Sequence, residues 1–176
     1  MLTGGLIGAG FAARVHMAGV VAVPEPAVRF KWVYDADAAR ARRFAAEFGL
    51  TPAPALEAIL DDPDVDFVDV CTPTPTHREF AERAADAGKH VFCEKPVALT
   101  LEDADAMWEA SQRAGVRLAV GMVLRYFPEY VRIKELLDSG ACGQVAIVHA
   151  SRCARMPAGA SDWYLSLIHI SEPTRP

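Results

Sequence analysis

The sequence predicts an α/β domain of the Rossmann type, a doubly wound parallel sheet. Three observations predict it. Short apolar segments alternate with helical ones across short connections, the pattern of βαβ units. A glycine-rich turn, Gly8-Ala9-Gly10-Phe11-Ala12-Ala13, follows the first apolar segment. An acid, Asp35, ends the second.

Taken in order, Leu2 to Ile7 reads as a buried strand whose start is weakened by Gly4 and Gly5. Phe11 to Val23 carries Ala, Val and Met at helical spacing until Pro24 and Pro26 stop it. Val28 to Tyr34 alternates and is rich in β-branched and aromatic residues, so it is a strand. Asp37 to Phe48 is a helix closed by Gly49. A short helix from Ala55 to Leu60 and a polar break, Asp61 to Asp64, lead into a strand from Val65 to Cys71. Thr76 to Glu79 has the form of a capping box opening a helix that runs to Gly88. His90 to Cys93 is a strand, with Glu94-Lys95-Pro96 as the turn at its carboxyl end. Thr100 caps a helix reaching Ala114, with Asp103 three residues on, and Val116 to Val123 is again strand-like. Met107 and Trp108 read as core.

After Val123 the character changes. Pro128 to Ser139 is an amphipathic helix ended by Gly140, and Gln144 to Ser151 reads as a strand opening a second sheet. The expected organisation is a nucleotide-binding domain over 1–121 and the start of a second α/β domain over 122–164. Residues 165–176 form a tail that breaks from everything before it. Leu165 to Pro176 is similar to the in-frame translation of a sequencing adapter, so it is set aside from fold reasoning and the natural chain is expected to be cut short near Tyr164.

Composition narrows the class. A hydrophobic share of 52% with 23% charged residues describes an ordinary globular chain. The net charge of −5 lacks the basic footprint that nucleic acid demands. No apolar run approaches a membrane span, and the N-terminus lacks the pattern of a signal peptide. Cys71, Cys93, Cys142 and Cys153 form no CxxC pair, which argues against a metal site and for reduced, mostly buried thiols in a cytoplasmic protein.

Right-handed crossovers place every strand-to-helix loop on one edge of the sheet, where ligands of such folds bind. Gly8–Ala13, Asp35, Thr72–His77 and Glu94–Pro96 therefore converge. In the first loop Gly8 permits the tight turn, Gly10 admits phosphate to the backbone, and Ala13 packs closely. The helix N-terminus behind it attracts a pyrophosphate. Asp35 is spaced to bond the adenosine ribose and to repel a 2′-phosphate, favouring NAD over NADP. Asp37 is an alternative for that role, or the helix cap. Arg40, Arg42 and Arg43 come late for a phosphate clamp, although a mobile arginine would serve. Lys95 should project from the edge, where partial burial and a cationic nicotinamide would tune it as a general acid–base. Glu94 would orient a ribose hydroxyl or Lys95 itself. By composition alone, a surface Glu/Lys pair at a strand end is the simpler reading. His77 reads as a cap or packing residue, and His16 as a packed helix residue.

Together GAGFAARVH (8–16), CTPTPTH (71–77), CEKPVALT (93–100) and VGMVLRYFPEYVRIKELLDSGACGQV (120–145) resemble the Gfo/Idh/MocA family of oxidoreductases. The resemblance covers the chain to about Leu165. It implies a Rossmann domain followed by an α/β domain with an open, largely antiparallel sheet that carries the substrate cleft and the contacts of a homo-oligomer. It implies that Lys95 is the catalytic lysine, and that Cys71, Thr72, Pro73, Thr74, His77, Glu94 and Arg125 line the cofactor with Gly8 to Ala13 and Asp35. The family's aspartate and histidine partners of the lysine fall in the second domain, beyond Tyr164. Val123 departs from the polar residue, often asparagine, that the family commonly has there. The implied activity is oxidation of a secondary alcohol of a sugar, inositol or related polyol with hydride transfer to NAD or NADP. This copy is expected to bind cofactor only, or to be inactive. A non-catalytic nucleotide sensor of the same fold is the alternative.

Overall fold

The computed structural model describes residues 1–151. The chain divides into a compact unit, Met1–Met122, and a second unit from Val123 onward. The first unit runs β1 (Leu2–Ile7), α1 (Phe11–Ala22), β2 (Val28–Tyr34), α2 (Ala38–Phe48), β3 (Thr51–Pro52) and α3 (Glu57–Leu60). It continues with β4 (Phe67–Val70), α4 (His77–Asp86), β5 (His90–Cys93), α5 (Leu101–Ala114) and β6 (Leu118–Val120). All strand pairs are parallel, in the order β3-β2-β1-β4-β5-β6. The order reverses between β1 and β4, and the crevice outside their carboxyl ends is where such sheets bind ligands.

Close packing explains the glycines of β1. A Cβ on Gly4 would lie 2.5 Å from the Phe67 ring, and one on Gly5 would lie 2.2 Å from Ile59 Cγ2. Their absence lets the Phe30 and Phe67 rings meet edge-on and Ile59 close over the strand. Packing thus outweighs the low strand propensity of glycine, and β1 keeps its full length. On one side of the sheet Ile7, Ile59, Val68, Val70, Val91 and Met107 cluster. Leu6, Ala13, Met17, Val33 and Phe44 form a second cluster. Each large side chain buried there contributes roughly 1.5–3 kcal/mol.

Helix ends follow the cap chemistry. Asp37 accepts the N–H groups of Ala39 and Arg40, which fixes it as the cap of α2. Gly49 ends that helix at φ 70°, and Thr100 accepts the Asp103 N–H at 3.1 Å.

Several expectations are corrected. The strand β3 escapes notice because it has two residues, one of them a proline tolerated only at a sheet edge. Thr76 does not cap α4 with its side chain. A 3₁₀ turn, Thr74–Thr76, runs straight into the helix, so the Thr76 hydroxyl donates to the Pro73 carbonyl and meets the Thr72 hydroxyl instead. Met107 is buried, but Trp108, one helical step away, is 55% exposed. Cys71 and Cys93 are buried while Cys142 is exposed.

In the second unit a 3₁₀ turn, Val123–Tyr126, precedes α6 (Pro128–Asp138), which opens on Pro128. The strand expected over Gln144–Ser151 is absent: its residues pair with no other strand among the described residues, and Ile147 and Val148 are exposed. Alternating sequence alone does not make a strand when its N–H and C=O groups find no ladder. The rest of the expected second domain and the tail at 165–176 lie outside the described residues.

Candidate functional site

The turn after β1 is built by exclusion. Gly8 has φ +96°, and a Cβ there would lie 2.7 Å from the Cys71 carbonyl oxygen, so both conformation and contact require glycine. Its N–H bonds the Tyr34 carbonyl, and the Ala9 N–H bonds Asp35 Oδ2 at 2.9 Å. Gly10 is different. Its φ is −92° and a Cβ would meet nothing within 4 Å, so the protein itself does not demand glycine here. It caps α1 without a side-chain bond, leaving first-turn N–H groups with no intrahelical partner. Ala13 is fully buried under the turn, whereas Phe11 is 77% exposed at its rim and Ala12 is half-buried. Open space, free donors and the positive helix end together fit an anionic ligand.

Asp35 is held rather than free. Its Oδ1 accepts the Asp37 N–H at 2.8 Å, and the Arg40 guanidinium lies 3.4 Å away. Asp37 serves as the α2 cap through its Oδ1, which accepts the Ala39 and Arg40 N–H groups.

Beyond β4, Thr74 is buried, Thr72 half-buried and Pro73 exposed. His77 is fully buried beneath them. Its Nε2 lies 2.8 Å from the Thr72 carbonyl and its Nδ1 3.1 Å from that of Pro96. The ring therefore ties the β4 turn to the β5 turn from inside and turns no free nitrogen outward.

At the end of β5 the expected partial burial of Lys95 is not found, because the residue is exposed at the sheet edge. Its backbone is fixed, with the Lys95 N–H bonding Glu94 Oε2 at 2.9 Å. Glu94 Oε1 meets His16 Nε2 at 3.0 Å, and His16 Nδ1 meets Asp69 Oδ2 at 2.8 Å. Burial works against charge on His16, but bonds to Asp69 and Glu94 outweigh it and lift its pKa to about 10. Glu94 is held below the usual carboxylate range by the same contact, against its burial.

Cys71 Sγ lies 3.4 Å from His16 Nδ1 and 3.3 Å from Asp69 Oδ1. Donor atoms of His16, Asp69 and Cys71 fall within 4.8 Å of one another, a grouping a metal would accept. These atoms are already bonded to each other, and burial followed by the charge of Asp69 pushes the Cys71 thiol up, so it keeps its proton.

The sequence reading thus missed His16 and Asp69. The available signal was Asp69, an acid inside the apolar strand β4, since a buried carboxylate needs a partner. Arg125 lies exposed on the 3₁₀ turn of the second unit.

Residues 2–122 match a family model, GFO_IDH_MocA, described as an oxidoreductase family with an NAD-binding Rossmann fold. The inositol 2-dehydrogenase of Rhizobium meliloti is 35% identical over 144 residues, covering 82% of this chain and 43% of that protein. The levoglucosan dehydrogenase of Pseudarthrobacter phenanthrenivorans is 35% identical over 148 residues, covering 80% and 38%. A solved levoglucosan dehydrogenase, in complex with NADH and levoglucosan, aligns with a TM-score of 0.75 at 33% identity, covering 81% and 40%. The chain spans about two fifths of the length of these relatives. Among the described residues no helix is long and apolar enough to cross a membrane.

Proposed function

The chain belongs to the GFO_IDH_MocA oxidoreductase family with its NAD-binding Rossmann fold, and on that premise we propose that it forms the cofactor-binding part of a dehydrogenase acting on a secondary alcohol of a sugar, inositol or related polyol. The observation that carries this reading is the contact between His16 and Glu94. It ties the helix that opens from the glycine turn to the turn that bears Lys95.

The pyrophosphate would lie over Gly10, Phe11, Ala12 and Ala13, where the open Gly10 lets the backbone close on it. Asp35 would accept a ribose hydroxyl with the lone pairs left over from Ala9 and Asp37, and its charge favours NAD. Arg40, beside Asp35, is the group through which NADP would be admitted. Bound nicotinamide supplies the hydride acceptor. Lys95, exposed at the edge, would take the hydroxyl proton of the substrate as general base, and Glu94 holds its backbone in place. Inositol and levoglucosan dehydrogenases among the relatives support a polyhydroxylated substrate.

The test is NAD reduction by an intact homologue across a panel of inositols, sugars and anhydrosugars, with the substitution that matches Lys95→Ala as the control. Alcohol-dependent reduction that falls at least about a hundredfold in the matching variant, with NAD affinity retained, is the expected result. Undiminished turnover in that variant contradicts the role of Lys95.

A further inference from the structure

Two carboxylates, Asp69 and Glu94, flank one histidine ring beside the Lys95 turn. Asp69 lies on β4 and is 2% exposed. Glu94 follows β5, whose register sets Asp69 opposite Phe92. A buried carboxylate and a partly buried one held close together repel unless a cation lies between them. That cation comes from a third element. His16 reaches from α1, less than one helical turn after Ala13, and places one ring nitrogen on each acid. A neutral imidazole has one N–H and would turn a lone pair toward one of the carboxylates. Both contacts are satisfied only when both nitrogens carry protons. Phe92 closes the far side with its ring centroid 5.7 Å from that of His16. The Cys71 thiol, the remaining titratable group against the ring, stays neutral because burial and then Asp69 push it up.

Glu94 has a second oxygen, and it accepts the Lys95 backbone N–H. A continuous path therefore runs from Asp69 through His16 and Glu94 to the backbone of Lys95, joining α1, β4 and β5.

We infer that His16 is a positioning residue: anchored by Asp69, it sets Glu94, and Glu94 sets the Lys95 backbone relative to the helix that opens from the glycine turn. The inference rests on the proposed role of Lys95 as the group that handles the substrate proton. Its consequence is that the donors for the pyrophosphate and the lysine sit on one frame, because α1 supplies both the turn N–H groups and His16. Either element moving alone would break a hydrogen bond between charged groups, which is among the stronger kinds.

The test uses the 176-residue chain and two variants, His16→Gln and Glu94→Gln. Glutamine at position 16 carries an amide that can serve one acid but not both, and Glu94→Gln leaves His16 in place. Nitrogen NMR of the His16 ring should show both nitrogens protonated at pH 8 in the wild type. In Glu94→Gln the ring should lose its proton at lower pH. Hydrogen exchange at the Lys95 amide should accelerate about tenfold in both variants, as expected on losing a charge-assisted bond. A His16 ring neutral at pH 7, or a Lys95 amide that exchanges at the wild-type rate in both variants, overturns the inference. NAD titration of the wild type is read separately: failure to bind, with the ring and amide results intact, counts against the cofactor reading and leaves the positioning network standing.

Discussion

The Asp35 carboxylate accepts the Ala9 N–H at 2.9 Å, so the acid that ends β2 holds the turn that follows β1. One residue thereby shapes the turn and, in the proposed reading, also meets the adenosine ribose. The second oxygen is bonded to Asp37, and Arg40 leans on both.

Asp35→Ser should therefore do two things at once. Losing a charge-assisted bond to the turn weakens NAD about tenfold or more. Removing the charge that repels a 2′-phosphate, while freeing Arg40, should shift the NAD-to-NADP affinity ratio toward NADP by about tenfold. Parallel titrations with the two dinucleotides check both effects.

The two turn glycines should separate stability from binding. Gly8→Ala meets a positive φ and the Cys71 carbonyl, and should cost about 1–3 kcal/mol or more in urea unfolding. Gly10→Ala meets open space and should stay within about 0.5 kcal/mol of wild type. Its methyl nevertheless intrudes where phosphate should sit, so NAD affinity should fall about tenfold.

Stability should also depend on pH through His16. Its folded pKa is raised, to about 10, above the unfolded value near 6.5. The stabilisation is therefore complete below about pH 6.5 and is lost as pH climbs toward 10. Thermal melts across that window should show the decline in the wild type and a flatter profile in His16→Gln. Equal slopes in the two proteins would refute this account of the ring.

His77 should prove a matter of stability. His77→Phe keeps the ring volume and loses the contacts to the Thr72, Pro96 and Val97 carbonyls, which should cost about 1–3 kcal/mol. The accompanying change should be looser turns at Thr72 and Pro96, read by hydrogen exchange.

Much of the fold was legible because strong local signals agreed with the packing. Val28–Tyr34 and His90–Cys93 alternate or run apolar between clear breaks, and both form strands with those bounds. Caps at Thr100 and Gly49 follow from side-chain and backbone chemistry that needs no distant partner. What failed depends on distant neighbours. The alternation at Gln144–Ser151 predicts a strand, but a strand exists only against another strand. Thr76 has the letters of a cap, yet the turn before it takes its hydroxyl. Gly8's place in the tight turn and Asp35's at the end of β2 could be read from spacing along the chain. His16 could not, since its meaning comes from Asp69 and Glu94, 53 and 78 residues away in sequence.

The central claim is that a dinucleotide seats on the turn from Gly8 to Ala13. Backbone amide NMR during an NAD titration tests it most directly. Saturable shifts at Gly10, Phe11, Ala12 and Ala13, abolished or weakened about tenfold in Gly10→Ala, are the predicted result. A folded chain whose turn amides stay unmoved at saturating NAD would contradict it.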